Sequence, residues 1–148
     1  MKLLITGSNG LLGQRLIARA PADAQIIPTF HSHPGIQPNF ELLDVTEGRQ
    51  VESLLERIRP DWIIHTAALT DVDGCELKRD LAWRANVVGT ENIARACESI
   101  GSGLIHVSTD YVFDGTSGPY DETAPTHPIN IYGMTKLEAE QRVLSVKS

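Results

Sequence analysis

The chain has 148 residues, 41% hydrophobic and 22% charged, with a net charge of −6. Those values fit one soluble globular domain with a core of its own. They exclude a basic nucleic-acid face and, with no apolar run near ~20 residues, a membrane span.

Lys2–Thr6 reads as a first strand, and a glycine-rich turn follows it. Its apolar run stops at Thr6-Gly7, below the ~7 residues of a signal-peptide core. Leu11, Leu12, Leu16 and Ile17 then recur at helical spacing. Residues 25–29 read as a second strand, 31–39 as loop and 40–43 as a short third strand. Val51, Leu54, Leu55 and Ile58 fit i, i+3, i+4, i+7, an amphipathic helix with Thr46 as its expected N-cap and Pro60 beyond its end. Residues 62–66 form a fourth strand. A helix is expected over 81–100, closed by Gly101-Ser102-Gly103, with residues 104–107 as a fifth strand. Three prolines break up a long loop, and a last helix runs from about Ile129 toward Val146. Cys75 and Cys97 stand in no metal-type spacing and are expected as reduced thiols of a cytoplasmic protein.

Strands alternating with helices imply parallel pairing through right-handed crossovers. The short apolar strands suit a sheet covered on both faces. The fold class expected is α/β, a doubly wound parallel (Rossmann-type) sheet in the order 3-2-1-4-5.

Gly7, Gly10 and Gly13 stand as Gly-x-x-Gly-x-x-Gly between the first strand and first helix. Such glycines let a backbone turn tightly and let a pyrophosphate approach, and the helix N-terminus favours the anion. A plain glycine-rich turn is the competing reading. A ribose-binding acid belongs ~20 residues further on. Here that region reads Phe30-His31-Ser32-His33, with no carboxylate and no arginine. NADP(H) is therefore favoured only mildly over NAD(H), with His31 and Ser32 as contacts for a 2′-phosphate. No Cys or third His accompanies the histidines, so no metal site is expected.

Tyr132 and Lys136 are four residues apart, on one helix face. A free tyrosine has a pKa of ~10, and a nearby lysine cation favours the phenolate. The pair can serve as an acid/base unit, although a surface Tyr-Lys pair has the same spacing. Ser108-Thr109 ends the fifth strand at the sheet edge where ligands bind in such folds. His65 and His106 are expected to be packed or hydrogen-bonded, and Trp62 and Trp83 to be packing residues.

These features resemble the extended short-chain dehydrogenase/reductase superfamily. More narrowly, His65-Thr66-Ala67-Ala68-Leu69-Thr70-Asp71-Val72-Asp73, Ser108-Thr109-Asp110-Tyr111-Val112-Phe113-Asp114-Gly115 and Asn130-Ile131-Tyr132-Gly133-Met134-Thr135-Lys136 resemble the dTDP-4-dehydrorhamnose reductase family. The non-catalytic β subunit of methionine adenosyltransferase shares the signature. The resemblance implies a catalytic set of Thr109, Tyr132 and Lys136, with Ser108 as the rival hydroxyl. It implies cofactor contacts from Gly7, Asn9, Gly10, Leu11, Leu12 and Gly13, from Asp44 and Val45 at the adenine, and from Ala67, Ala68 and Leu69. Tyr132 and Lys136 also belong to that cofactor set. Asn86 matches the family's helix asparagine and is counted in the cofactor set, with a role in the active-site geometry through its backbone and nearby water.

The implied function is NAD(P)H-dependent reduction of a 4-keto nucleotide sugar in the cytoplasm. Epimerisation or dehydration of a sugar nucleotide, and a cofactor-binding regulatory subunit, are the alternatives. Members of the family continue well past the helix of Tyr132. Residues 1–148 are therefore expected to be the dinucleotide-binding domain, either part of a longer enzyme or a short protein. Uncovered apolar surface would favour a homodimer.

Overall fold

The computed structural model describes residues 1–32 and 40–146; His33 with the rest of the expected loop, and the last two residues, lie outside them. Five parallel strands form one sheet in the order β3-β2-β1-β4-β5. They are β1 (Lys2–Thr6), β2 (Gln25–Phe30), β3 (Glu41–Leu42), β4 (Trp62–His65) and β5 (Gly103–His106). The register sets Ile5 beside Ile64, and Ile64 beside Ile105. The expected topology is the one observed.

The helices are α1 (Leu11–Arg19), α2 (Gly48–Ile58), α3 (Val72–Leu77), α4 (Arg79–Trp83), α5 (Gly89–Ile100) and α6 (Ile131–Val146). A π-helical turn, Arg84–Val88, joins α4 to α5. The predicted helix over 81–100 is thus two helices around one wider turn. Helix α3 was not anticipated; the Asp71 carboxylate caps it, accepting from Gly74 N–H at 3.0 Å. Helix α2 is capped differently from expectation. Thr46 donates both its N–H and its hydroxyl to Asp44, and Glu47 takes the cap position without a side-chain bond. Arg59 leaves α2 in the left-handed region at φ 49°, just before Pro60.

One sheet face carries the main core. Leu4, Ile63 and Leu104 meet Val51, Leu54 and Leu55 of α2 and Ile93, Ala96 and Cys97 of α5. Helices α2, α5 and α6 pack side by side there. The other face is only partly covered, contrary to the expectation of two clothed faces. Ile105 of β5 is 48% exposed, and Leu11 of α1 is 80% exposed. Trp62 and Trp83 are both partly open; the Trp62 ring lies over Gly103, where a Cβ would strike it. No disulfide joins the two buried cysteines. Among the described residues no helix is long and apolar enough to cross a membrane.

Candidate active site

The strands β1, β4 and β5 end at one edge, and a cleft of about 910 Å³ opens there. Its floor begins at the glycine turn. Gly7 has φ +65°, and a Cβ on it would stand 2.8 Å from the Ala67 backbone. A Cβ on Gly13 would stand 2.5 Å from Gly7 O and 2.6 Å from Ser8 Cα. These two glycines are therefore required by packing, of turn against strand and of helix against turn. Gly10 differs: a Cβ there would meet only Gly7 O, at 3.2 Å, with open cleft beyond. No side chain caps α1. Its first N–H groups and dipole therefore face the cleft at the point where the backbone is most accessible.

At the far end of the turn, His31 Nε2 lies 3.3 Å from Asp44 Oδ2. Burial pushes the Asp44 carboxyl up, but the Thr46 bonds and His31 hold it below the usual carboxylate value. Both residues line the cleft, with Ser32 and Val45.

Behind the floor lies a closed polar network. Thr6 Oγ1 accepts from Thr66 N–H and Ala67 N–H, each at 3.1 Å. Both its lone pairs are then used, so its own proton goes to His65 Nδ1 at 2.7 Å. His65 must carry its proton on Nε2, which faces Thr90 Oγ1 at 3.1 Å, and Thr90 donates to Asn86 O at 2.6 Å. Burial holds His65 neutral, well below its usual range, with His106 and Lys136 adding to the effect. This satisfied network is what packs His65, as expected.

Asn86 sits in the π turn and is buried. Its Oδ1 accepts from Leu69 N–H at 2.7 Å; its Nδ2 donates to Leu69 O at 3.1 Å and to Thr135 Oγ1 at 3.0 Å. The side chain is committed to tying the strand β4 exit to α6. It does not line the cleft, and its bonds hold the cleft wall together.

Helix α6 supplies Tyr132 and Lys136. Asn130 accepts from Gly133 N–H at 2.7 Å, and Glu76 of α3 accepts from Ile131 N–H at 2.8 Å, so the first turn is fixed from two sides. Gly133 has no room for a Cβ against Tyr111 O. Burial pushes the Tyr132 phenol above its ordinary value; Thr109 pulls the other way, while Cys75, Asp110 and Tyr111 add to the rise. Burial itself lowers Lys136 to about 8, with Glu140 opposing. Its Nζ donates to Val107 O at 2.7 Å.

The two hydroxyls divide the roles. Ser108 lines the cleft but donates its proton to Glu140 of α6. Thr109 lies off the cleft wall beside Tyr132; its Oγ1 accepts from Tyr111 N–H at 3.2 Å. Every expected cofactor residue except Asn86 lines the cleft. Sequence reading missed Thr66, Thr70 and Arg84, which line it too. Arg84 reaches it from the π turn, 3.7 Å from Glu47, with no local pattern to announce it.

The sequence matches the family model described as "RmlD substrate binding domain" over residues 1–148. It is 40% identical over 144 residues to methionine adenosyltransferase 2 subunit beta of Xenopus laevis, covering 97% of this chain and 42% of that protein. It is 38% identical over 149 residues to the dTDP-4-dehydrorhamnose reductase of Mycobacterium tuberculosis, covering 97% of this chain and 46% of that protein. The fold superimposes with a TM-score of 0.89 on the dTDP-4-dehydrorhamnose reductase of Bacillus anthracis solved in complex with NADP. Identity there is 41%, and coverage is 98% of this chain and 49% of that one. The chain thus spans about half the length of the relatives it matches. It belongs to the RmlD substrate binding domain family.

Proposed function

We propose that this chain is the dinucleotide-binding and catalytic domain of an NAD(P)H-dependent reductase of 4-keto nucleotide sugars. The observation that carries the reading is one cleft lined at one end by the glycine turn and at the other by Tyr132 and Lys136. The open backbone at Gly10 and the uncapped α1 fit a diphosphate. Ala67, Ala68 and Leu69 would flank the dinucleotide, and Lys136 would hold the ribose next to the nicotinamide. The reading favours NADP(H) over NAD(H): His31 and Ser32 line the cleft just after β2 and would be the contacts for a 2′-phosphate. The related structure in complex with NADP supports the nicotinamide assignment.

When bound, the nicotinamide supplies hydride to the ketone carbon. The chain's own part is the proton. Tyr132 keeps its phenolic proton through neutral pH because burial raises it, which is the form a reduction needs. Thr109, beside that hydroxyl, would hold the ketone oxygen in line. As Tyr132 gives up its proton, the Lys136 ammonium stabilises the phenolate left behind. The nucleotide-sugar pocket would be completed by a segment like the other half of the relatives.

Calorimetric titration with NADPH and with NADH, followed by ketone-dependent NADPH oxidation, tests the reading. Micromolar binding with NADPH preferred is expected; no binding of either overturns it. A second reading, a regulatory subunit, draws on the 40% identity to methionine adenosyltransferase 2 subunit beta. Cofactor binding together with a complete lack of ketone reduction by a longer chain would favour it.

A further inference from the structure

Lys136 has an ionisable neighbour that the reaction does not use. His106 ends β5, and its Nε2 lies 3.4 Å from Lys136 Nζ. Its ring stacks on that of His65, with centroids 5.6 Å apart and 28° between planes. Its Nδ1 is buried and meets no hydrogen-bonding group among the described residues.

An ammonium group only donates. Nε2 must therefore be the accepting nitrogen, and the ring proton must sit on Nδ1, where no acceptor meets it. The opposite tautomer would satisfy neither side, since it would set N–H against N–H. A buried, unpaired donor is unfavourable. The arrangement persists because the ring is held between the His65 stack and the Lys136 head. We infer that His106 is a positioning residue: its Nε2 lone pair holds the Lys136 ammonium beside the Val107 carbonyl and preserves its charge at neutral pH. The inference deepens the reductase reading and rests on it for its consequence in turnover.

The groups facing Lys136 support this division of labour. From β5 comes His106, and from β4, behind it, His65. On α6 itself, Tyr132 precedes Lys136 by one turn and Glu140 follows by one turn. Glu140 also accepts the Ser108 proton. Burial drives Lys136 toward the neutral amine, and Glu140 opposes that. Burial and the neighbouring lysine bring His106 to about 4, so from there up to about 8 it is a neutral acceptor facing a charged Lys136.

The test uses the 148-residue chain labelled with ¹⁵N in lysine and histidine side chains, followed by NMR across pH. In the wild type, His106 should show the Nδ1–H tautomer at neutral pH. His106→Phe keeps the bulk and the stack but removes the acceptor. It should lower the Lys136 midpoint by about one pH unit, the scale of a weak charge-assisted bond. His106→Gln, whose amide oxygen falls near the Nε2 position, should restore the wild-type midpoint. An Nε2–H tautomer in the wild type overturns the inference, as does an equal midpoint in the Phe and wild-type chains. If the Phe chain does not fold, His106→Leu takes its place, and the wild-type tautomer decides independently. None of these readouts needs turnover, so a longer chain that binds cofactor but reduces no ketone would count against the reductase reading and leave this one standing. In an active protein, the pH at which kcat falls should drop in step in the Phe variant, with KM for the ketone unchanged.

Discussion

The two ends of the cleft are built from different materials. The end proposed to hold the nucleotide is made of backbone: Gly7, Gly10, Gly13 and the first turn of α1, with exposed side chains such as Leu11 around them. The end proposed for catalysis is made of buried side chains, Tyr132 at 9% exposure and Lys136 at 3%. A backbone site recognises a shape and a charge that every dinucleotide shares. A buried side-chain site shifts proton affinities, as acid–base chemistry requires. Substitutions should therefore separate the two ends cleanly.

The largest effect is expected from Tyr132→Phe. Turnover should fall by about 10²–10⁴-fold with the proton donor gone, while calorimetric affinity for NADPH stays within about twofold. Comparable loss of both would mean that the Tyr132 hydroxyl also carries much of the cofactor affinity. Next comes Gly7→Ala, which forces an L side chain into φ +65° and into the Ala67 backbone. It should cost about 2–4 kcal/mol in urea unfolding. Gly10→Ala should cost under about 1 kcal/mol, because only one close contact arises, yet should weaken NADPH binding. Equal stability losses at both positions would remove the distinction between packing and ligand glycines.

The pH response belongs to the catalytic end. His106 titrates at 6.5 when unfolded and at about 4 when folded, so between those values the unfolded chain binds more protons. Stability therefore falls as pH drops from 6.5 toward 4, by an amount of the order of 3 kcal/mol from this group. Buried His65 acts in the same direction. Urea midpoints across that interval measure it, and His106→Phe should flatten part of the slope. The smallest effect is expected at the exposed His31. His31→Ala should weaken NADPH binding by less than about tenfold and leave NADH unchanged, as calorimetry would show. An equal loss for both cofactors would place His31 away from the 2′ position.

Legibility in the sequence follows the same division. The strands and the glycine turn are local: an apolar run of 4–6 residues or a three-residue glycine spacing is complete within itself. Tyr132 and Lys136 are local too, at one helical turn. Asn86 is not. Its partners are Leu69, 17 residues away, and Thr135, 49 residues away, and the wider π turn has no periodicity signature. Thr46 misled because a hydroxyl before an apolar helix has the look of a cap, and Asp44 two residues earlier competes for it. Helix α3 had a readable signal in Asp71 and Gly74, a capping side chain three residues before its donor. The rise in Tyr132 depends on how deeply α6 sinks between the β5 exit and α3, which no spacing in the sequence encodes.

The π turn at Arg84–Val88 makes this wall sensitive to length as well as to identity. Such a turn holds one residue more than the α-helix could accommodate in the same place. Deleting a single residue there would let an ordinary α-helix run through with its flanks still in phase, removing the wide turn that carries Asn86. Asn86 would swing off Leu69 and Thr135 while every other side chain in the cleft kept its chemistry. Relatives that keep the cleft should therefore vary freely in composition at the exposed Trp83 but not in spacing. An alignment gap at this point would be a stronger sign of lost function than a substitution.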